Sequence, residues 1–476
     1  MYIYETLADE LAHSIAGGQL LPGIRIPSVR EYAAQRGVSI NSVKAAYRLL
    51  EDRGLIVARP QSGYYVCESL PGLLSRPPES EELIPLSGLS RLLSLILERQ
   101  QQGNCTDLAL ACPQGGAFYP AERLQKVAVR LMRTTAGRQT TYAMPPGSAL
   151  LRAQVARRGL QLGMYLSADD ILITHGAMEA LSLAIRASTQ PGDAVAVESP
   201  TFYNLYPMLQ DLGRRIVNVP THPQQGMCLD SLESLVIRDR IAAVITIPSG
   251  HNPLGFVMPA ENRQRLATLA ARYEFAVVED AMYAELQFGD RPVPNIKAFD
   301  KDGWVMVCAS YTKTIAPDFR IGWLEAGRFR DVVRQMKFTS SVAESVLLSD
   351  TLGIFLQNGS YDLHLRHLRK LYDRQIDGVR ACIAVGFPEG TRVSRPGAGF
   401  ILWVELPDGT DTLALFHAAL DENILCMPGL LCSQDRAFSN CLRLAVCFEL
   451  TEEYRAAIIR LGALARMQLM SLHKSI

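Results

Sequence analysis

Five short apolar runs between residues 170 and 310 constrain the fold of this 476-residue chain more than any other feature. They read DILITHG, DAVAVES, AAVITIPS, FAVVEDA and WVMVCAS. Each run is continuously hydrophobic and leads through a turn into a segment with helical periodicity. Strands that are apolar on both faces and alternate with helices are typical of a mostly parallel sheet covered on both sides. We therefore predict a large α/β domain.

Composition sets further limits. The chain is 48% hydrophobic and 20% charged, an ordinary mixture for large buried cores, and its formal net charge is zero. Any contact with nucleic acid must therefore come from a local basic patch. The apolar runs are too short to span a membrane, and the acidic, amphipathic N-terminus MYIYETLADELAH is unlike a signal peptide. Ten scattered cysteines without C-x-x-C or Cys/His ligand spacing predict reduced thiols in a cytoplasm and no metal site.

Residues 1–68 have a different pattern. A first helix with apolar residues at helical spacing precedes a second, which opens with a capping box at 28–31 and stops at Gly37. Ser39 can cap a third helix over 40–53, and two β-rich runs, LIVAR and YYVC, then flank a turn. Three helices followed by a hairpin predict a winged helix-turn-helix.

Basic residues are concentrated in this unit. Between residues 25 and 59 there are seven basic and three acidic side chains, a local charge of +4. The start of the third helix is polar, and such groups can reach base edges and phosphates in a major groove. A solvated helix face is the alternative. The DNA-binding candidates on this helix are Ser39, Asn41, Ser42, Lys44 and Arg48.

Residues 4–66 resemble the GntR-type winged helix over its full length. The matching elements are G-x-L-x-P-G-x-R-x-P-S-x-R, the turn G-V-S, the helix A-Y-x-x-L-E-x-x-G and the wing S-G-Y-x-V. The resemblance implies binding to a double-stranded DNA operator. The family's DNA contacts fall on Arg30, Ser39, Asn41, Ser42, Lys44 and the wing tip at Ser62 and Gly63. It departs from the family at Ile40, where an arginine that reads guanine is frequent, so the family's usual operator does not follow.

The segment 69–106 is interpreted as a linker. It begins with the Pro-, Ser- and Glu-rich PGLLSRPPESEE and contains LSRLLSLILERQ, which fits a short amphipathic helix. Beyond residue 390, RVSRPGAGFILWVEL and CLRLAVCFEL indicate strands of a smaller α+β domain. The predicted organisation is therefore a DNA-binding domain over 1–68, a linker over 69–106 and a two-part domain over 107–470.

Lys313 follows the last apolar run, WVMVCAS, closely. A lone lysine there could simply extend its amine to solvent. Other strand ends carry chemistry as well: FAVVED ends in Asp280, and Asn252 lies in an N-P-x-G turn. LITHGAMEAL runs from a strand through a glycine turn into a helix, an arrangement that suits a phosphate. Arg443 lies within a predicted strand, where a buried guanidinium needs an anionic partner.

Together these groups match the needs of pyridoxal 5'-phosphate (PLP). A lysine amine forms a Schiff base with the aldehyde, a carboxylate keeps the pyridine nitrogen protonated, and an arginine holds phosphate as a bidentate fork. We predict Lys313 as the Schiff-base and catalytic residue and Arg443 as the group that binds the ligand's carboxylate. The other predicted cofactor-binding residues are Asp280, Tyr283, Asn252, Tyr203, Arg320, Ser310, Gly176, Ala177 and Met178.

Residues 107–470 resemble the class I/II aminotransferases of PLP fold type I. The matching pieces include Y-x-x-P-x-G at 142–147, H-G-A-M-E-A-L, E-x-P-T-F-Y, H-N-P-L-G, E-D-A-x-Y and S-Y-T-K-T-I-A-P-D-F-R-I-G-W. The resemblance implies that Tyr142 reaches the phosphate of a neighbouring subunit's cofactor, hence a homodimer. It departs from the family in the phosphate turn, where Ala177 and Met178 leave only backbone N–H donors.

The order winged helix, linker and aminotransferase-like domain resembles the MocR-type regulators over nearly the whole chain. This resemblance implies a transcription factor that senses an amino acid or related carboxylate ligand through an aldimine, with PLP itself as a possible effector. Two alternatives stay open at this point. One is an aminotransferase with an appended DNA-binding module, and the other is a degenerate domain that serves only dimerisation.

Overall fold

A computed structural model describes residues 3–16, 20, 24–52, 55–59, 62–67, 86–113, 115–134, 142–289, 291–434 and 436–473. Within this part of the chain, the first 67 residues form the predicted three helices and hairpin. The elements are α1 (Ile3–Ala16), α2 (Val29–Arg36), α3 (Ile40–Asp52), β1 (Ile56–Arg59) and β2 (Gly63–Val66). Three predicted boundaries lie outside the described residues. They are the end of the first helix at Gly17-Gly18, the end of the third helix at Gly54 and the hairpin turn at Pro60-Gln61.

Local sequence explains the boundaries of α2. The Ser28 side chain accepts a hydrogen bond from the Glu31 N–H, and the Glu31 carboxylate accepts one from the Ser28 N–H, so both halves of the capping box are present. At the other end Gly37 adopts the left-handed conformation, φ 64°, which favours glycine. Helix α3 packs its apolar face, including Val43 and Tyr47, against α1 and α2.

Part of the predicted linker belongs to a core. Helix α4 (Leu86–Gln102) buries Leu89, Leu92 and Ile96 in the same apolar cluster as residues of the C-terminal domain. The next strand, β3 (Thr106–Asp107), pairs with a short strand of that domain. Burying these side chains stabilises the helix on the domain. The domain boundaries at 68 and 106 stay predictions, but the second half of this segment is packed rather than exposed.

The large domain is built on a mixed, mostly parallel sheet of eight strands among the described residues. Their order is β4-β11-β10-β9-β8-β5-β6-β7, and β7 and β11 run antiparallel to their neighbours. Strands β4, β5, β8, β9 and β10 are fully or almost fully buried, as their apolar sequences predict. The strands are β4 (Ile171–Thr174), β5 (Ala194–Ser199), β6 (Arg215–His222), β7 (Gly226–Met227), β8 (Ile241–Thr246), β9 (Ala276–Asp280), β10 (Val305–Ser310) and β11 (Gly322–Glu325).

Helices connect these strands and cover the sheet. They are α5 (Ala121–Thr134), α6 (Ala149–Gly159), α7 (Gly176–Ser188), α8 (Leu205–Asp211), α9 (Leu229–Asp239), α10 (Ala260–Tyr273), α11 (Arg330–Ser340) and α12 (Val346–Gln357). Separate apolar clusters lie against the sheet, one of them centred on α7. The predicted α/β domain is thereby confirmed.

The C-terminal part forms the smaller α+β domain. Its antiparallel sheet has the order β12-β13-β16-β15, and β14 pairs with β3. The elements are α13 (Ser360–Gly386), β12 (Arg392–Val393), β13 (Ile401–Glu405), α14 (Thr412–Asp421), β14 (Ile424–Leu425), β15 (Met427–Pro428), β16 (Cys441–Ala445) and α15 (Glu452–His473). Of the helices that the structure describes, none has the length and hydrophobicity needed to cross a membrane.

Candidate functional site

The predicted cofactor residues converge at one edge of the large sheet. Strands β4, β8, β9 and β10 all end there, because parallel strands place their carboxyl ends on the same side. Gly176 follows β4, Asn252 follows β8, Asp280 ends β9 and Ser310 ends β10. Lys313 lies three residues beyond Ser310. The sheet therefore brings together groups that are far apart in the sequence.

The charges of Lys313 and Asp280 are perturbed. Burial lowers the pKa of the Lys313 amine, and the nearby guanidinium groups of Arg443 and Arg320 lower it further. A lowered pKa increases the fraction of neutral amine that can attack an aldehyde. Burial raises the pKa of Asp280, 6% exposed, to about 6, although the Met282 N–H donates to its Oδ1 at 3.0 Å. Lys313 favours the ionised form of Asp280.

The turn between β4 and α7 is closely covered by Arg320. Gly176 has φ 73°, a conformation that favours glycine, and a Cβ built on it would lie 2.6 Å from Arg320 Nη2. Arg320 itself has φ 51°, a strained conformation for a residue with a side chain. Ala177 and Met178 form the first turn of α7, whose free N–H groups favour an anion.

Ser310, at the end of β10, and Thr312, just beyond it, form part of the predicted phosphate site. The Thr312 N–H donates to Ser310 Oγ at 3.2 Å, and Arg320 Nη1 donates to Thr312 Oγ1 at 3.4 Å. These bonds connect the end of β10 with the arginine that covers the turn. Thr312 was not among the residues predicted from sequence.

Asn252 and Tyr283 provide polar groups in the apolar wall of the pocket. Both are buried, and Asn252 Oδ1 has no hydrogen-bond partner among the described residues. The Tyr283 ring packs edge to face on Phe400, with ring centroids 5.3 Å apart. Burial raises the pKa of Tyr283, so its phenol stays protonated and available as a donor. A buried amide oxygen without a partner is costly, and it is compatible with a polar ligand beside it.

Arg443, on β16, is 1% exposed, and its guanidinium is only partly satisfied. Nη2 donates to the Ala109 carbonyl, whereas Nε and Nη1 have no hydrogen-bond partner in the part of the chain that the structure describes. The Tyr203 ring centroid lies 5.6 Å from the Arg443 Cζ. A buried guanidinium with free donors favours an anion, and a carboxylate matches its planar geometry.

Several groups near this pocket were missed by sequence reasoning. Cys447 Sγ donates to the Leu110 carbonyl at 3.2 Å, and the Cys112 thiol lies 3.7 Å from the Tyr119 hydroxyl. Both thiols lie close enough to Lys313 to interact with it electrostatically. The sequence offered no spacing signal for them. Glu198 and His251, in contrast, were inside the E-x-P-T-F-Y and H-N-P-L-G motifs but received no role.

Tyr142 is not brought to this cluster within one chain. Its side chain is 76% exposed, and the adjacent Ala143 pairs with Glu344 through an isolated β-bridge. An exposed position is compatible with a residue that reaches another subunit. Its predicted contact with a neighbouring cofactor stays a prediction.

A separate cluster lies behind the phosphate turn. His175, Glu179 and Glu344 form the one group of three potential metal ligands found among the described residues. However, the buried Lys337 amine already binds both carboxylates, at 2.7 Å from Glu179 Oε2 and closer still to Glu344. Because an ammonium ion occupies the position between the carboxylates, this arrangement is a buried salt-bridge network. It ties the start of α7 to the loop after α11.

The DNA-binding candidates lie on the surface of the winged helix. Asn41, Lys44 and Arg48 are exposed on the side of α3 opposite its buried apolar residues, and Arg30 is exposed on α2. Ser39 is used locally, since its Oγ accepts the Ser42 N–H at 3.1 Å. In the wing, Ser62 Oγ lies 2.6 Å from the Tyr65 hydroxyl, and Gly63 lies beside the Arg25 side chain. The predicted residues thus lie at exposed or partly exposed positions of α2, α3 and the wing.

Comparisons with known proteins agree with both predicted domains, the winged helix and the aminotransferase-like domain. Residues 3–66 match the family model "Bacterial regulatory proteins, gntR family", and residues 115–461 match "Aminotransferase class I and II". The HTH-type transcriptional regulator YjiR of Escherichia coli (strain K12) is 33% identical over 96% of this chain and 98% of its own length. The HTH-type transcriptional regulator YdcR of the same strain is 33% identical over 98% of this chain and 99% of its own.

A solved structure supports the fold of the large and smaller domains together. LysN, the alpha-aminoadipate aminotransferase from Thermus thermophilus, superposes with a TM-score of 0.72 and 26% identity, covering 81% of this chain and 97% of that one. It was complexed with N-(5'-phosphopyridoxyl)-L-leucine. The fold and site therefore define a GntR-type winged helix joined to a class I/II aminotransferase domain. The chain belongs to the MocR-type transcriptional regulators.

The cofactor of this family is PLP, and the pocket fits it. The lysine has a lowered pKa, the glycine turn leaves no room for a Cβ beneath Arg320, and Asn252 Oδ1 is an unpaired buried oxygen among the described residues. The lysine suits the aldehyde of PLP, the glycine turn suits its phosphate, and the Asn252 oxygen suits the polar groups of its ring. The match does not depend on hydroxyl or amide side chains at positions 177 and 178.

Proposed function

We propose that this DNA-binding regulator senses an amino acid or a related carboxylate ligand through PLP bound at Lys313. The observation that carries the proposal is Arg443, a buried guanidinium beside the lysine with two donor atoms that have no partner among the described residues. Such a group is stabilised by a carboxylate. The site residues retain every part that an amino-acid ligand would need.

When bound, PLP supplies an aldehyde for covalent exchange with amines and an electron-withdrawing ring. The residues of the chain would position it. Asp280 would pair with the ring nitrogen, Asn252 and Tyr283 would hydrogen-bond the phenolic oxygen, and Tyr203 would pack on the ring. Arg320, Ser310 and the N–H groups of Gly176, Ala177 and Met178 would hold the phosphate. Lys313 would supply the amine that binds the aldehyde.

Coupling to DNA has a physical route in the proposal. The chain that follows Arg443 continues through residues 446–451 to a cavity of about 660 Å³. Glu51 of α3 lines this cavity together with His367 and Arg374 of α13 and with Glu449 and Arg455. A ligand alters DNA binding only if it favours one arrangement of these elements over another.

An aminotransferase with an appended DNA-binding module is the second candidate. This candidate is favoured by the presence of every predicted catalytic and charged binding group, namely Lys313, Asp280, Arg320 and Arg443. The two functions differ in the fate of the bound ligand: a sensor holds its ligand, whereas an aminotransferase converts the ligand and regenerates its cofactor with a keto acid. The exposed Tyr142 supports a homodimer for either function.

An absorbance titration of the PLP-loaded full-length protein tests the proposal. We expect one amino acid from a panel to shift the visible band of the lysine-bound cofactor, and this shift to persist and to change affinity for operator DNA. Repeated conversion on alternate addition of amino acid and keto acid would favour the aminotransferase. No visible band after incubation with PLP would contradict the assignment of Lys313.

A further inference from the structure

Glu198, at the end of β5, is a fully buried carboxylate with its own set of donors. Its Oε1 accepts the Thr246 hydroxyl at 2.9 Å, and its Oε2 accepts the Ile247 N–H at 2.8 Å. Thr246 ends β8, and Ile247 follows it. The Glu198 side chain therefore crosses from its own strand to the neighbouring strand, at the same edge of the sheet as the cofactor residues.

His251 faces Glu198 from the loop after β8 and is also fully buried. Its Nδ1 accepts the Leu254 N–H at 3.2 Å, which assigns the ring proton to Nε2. Nε2 lies 3.2 Å from Glu198 Oε2, without the alignment of a good hydrogen bond. The ring stacks on Phe256, with centroids 4.4 Å apart. The imidazole is thus fixed with the positive end of its dipole toward the carboxylate.

Asp280 lies one strand farther along. β5 pairs with β8 and β8 pairs with β9, so the Glu198 carboxylate reaches the strand that adjoins Asp280. Burial is the largest cause of the raised pKa of Asp280, and the charge of Glu198 raises it further. The other titratable groups that interact with Asp280 are Lys313, Cys308 on β10 and Tyr283.

From this geometry we propose that Glu198 and His251 are positioning residues that set the charge of Asp280. The inference rests on the proposed role of Asp280 at the ring nitrogen. Glu198 opposes ionisation of Asp280, and the His251 dipole weakens this opposition by acting on Glu198. The pair thereby adjusts how strongly the pocket holds a protonated ring, without touching the cofactor itself.

The test is the affinity of the full-length protein for PLP as a function of pH, measured by absorbance. Glu198→Gln keeps the shape and one of the two acceptor oxygens but removes the charge, so we expect the midpoint of the pH dependence to fall by about one unit. His251→Phe keeps the stack on Phe256 but removes the dipole, so the midpoint should rise. Because His251 acts through Glu198, the double variant should behave like Glu198→Gln alone.

Two controls separate the possible failures. Glu279→Gln changes the adjacent buried carboxylate, which accepts the N–H groups of Ile296 and Lys297 instead, and should leave the midpoint unchanged. Asp280→Asn should remove the Asp280 contribution to the pH dependence. If it does not, the role of Asp280 itself is wrong. If Asp280→Asn removes this contribution, but Glu198→Gln and His251→Phe keep the wild-type midpoint and circular dichroism, only the present inference is overturned.

Discussion

The winged helix and the cofactor pocket present their polar side chains in opposite ways. Lys44 and Asn41 lie on an exposed helix face, whereas Asp280 and Arg443 are buried among apolar residues. Water and salt screen an exposed charge, so one contact contributes little. A buried charge depends on a few neighbours. Substitutions should therefore act weakly and independently on the DNA face and strongly in the pocket.

The largest effect is expected at Lys313. Lys313→Ala removes the amine that bonds to the cofactor, so the visible band of lysine-bound PLP should be lost completely, while the elution volume on size exclusion stays that of the wild type. Lys301→Ala, which changes an exposed lysine before β10, is the matched control and should keep the band. A covalently bound cofactor in Lys313→Ala would show that another residue holds it.

Arg443→Ala should be next in magnitude. Loss of one partner from a buried charge pair costs about 2–5 kcal/mol, so the ligand concentration that shifts the band should rise at least roughly 30-fold. The control is Arg366→Ala on the exposed side of α13. An unchanged ligand response in Arg443→Ala would mean that the carboxylate binds elsewhere. The pocket would then tolerate loss of a charged side chain as well as the exposed DNA-binding face does.

The smallest effect is expected at Lys44. If its amine contacts a phosphate, Lys44→Ala should weaken binding about equally across DNA sequences and reduce the slope of log K against log salt by about one. Fluorescence anisotropy over a salt series measures both quantities. Lys126→Ala on α5, an exposed lysine outside the winged helix, is the control. A changed sequence preference would show that Lys44 reads bases.

The two regions also differ in how far sequence predicts them. Most of the predicted DNA contacts come from nearby positions of one helix, so the capping signals and the 3.6-residue period suffice to place Asn41, Lys44 and Arg48 on one side. The predicted hairpin is present, with Val57 opposite Tyr65. Local rules determine this region almost completely.

The pocket requires non-local information. Strand runs predict which residues end at the sheet edge, and that was enough to place Asp280 and Ser310. It was not enough for Glu198, because its partners depend on β5 and β8 being neighbours, which no local pattern specifies. The same holds for α4, whose amphipathic sequence predicted a helix but not the core that it packs against.

The packing of α4 also determines where the DNA-binding unit is tethered. Because Leu89, Leu92 and Ile96 fix this helix in the smaller domain, the connection to the winged helix starts from that domain and not from the large sheet. Any displacement of the smaller domain therefore displaces the helix from which the chain leads back to the winged helix.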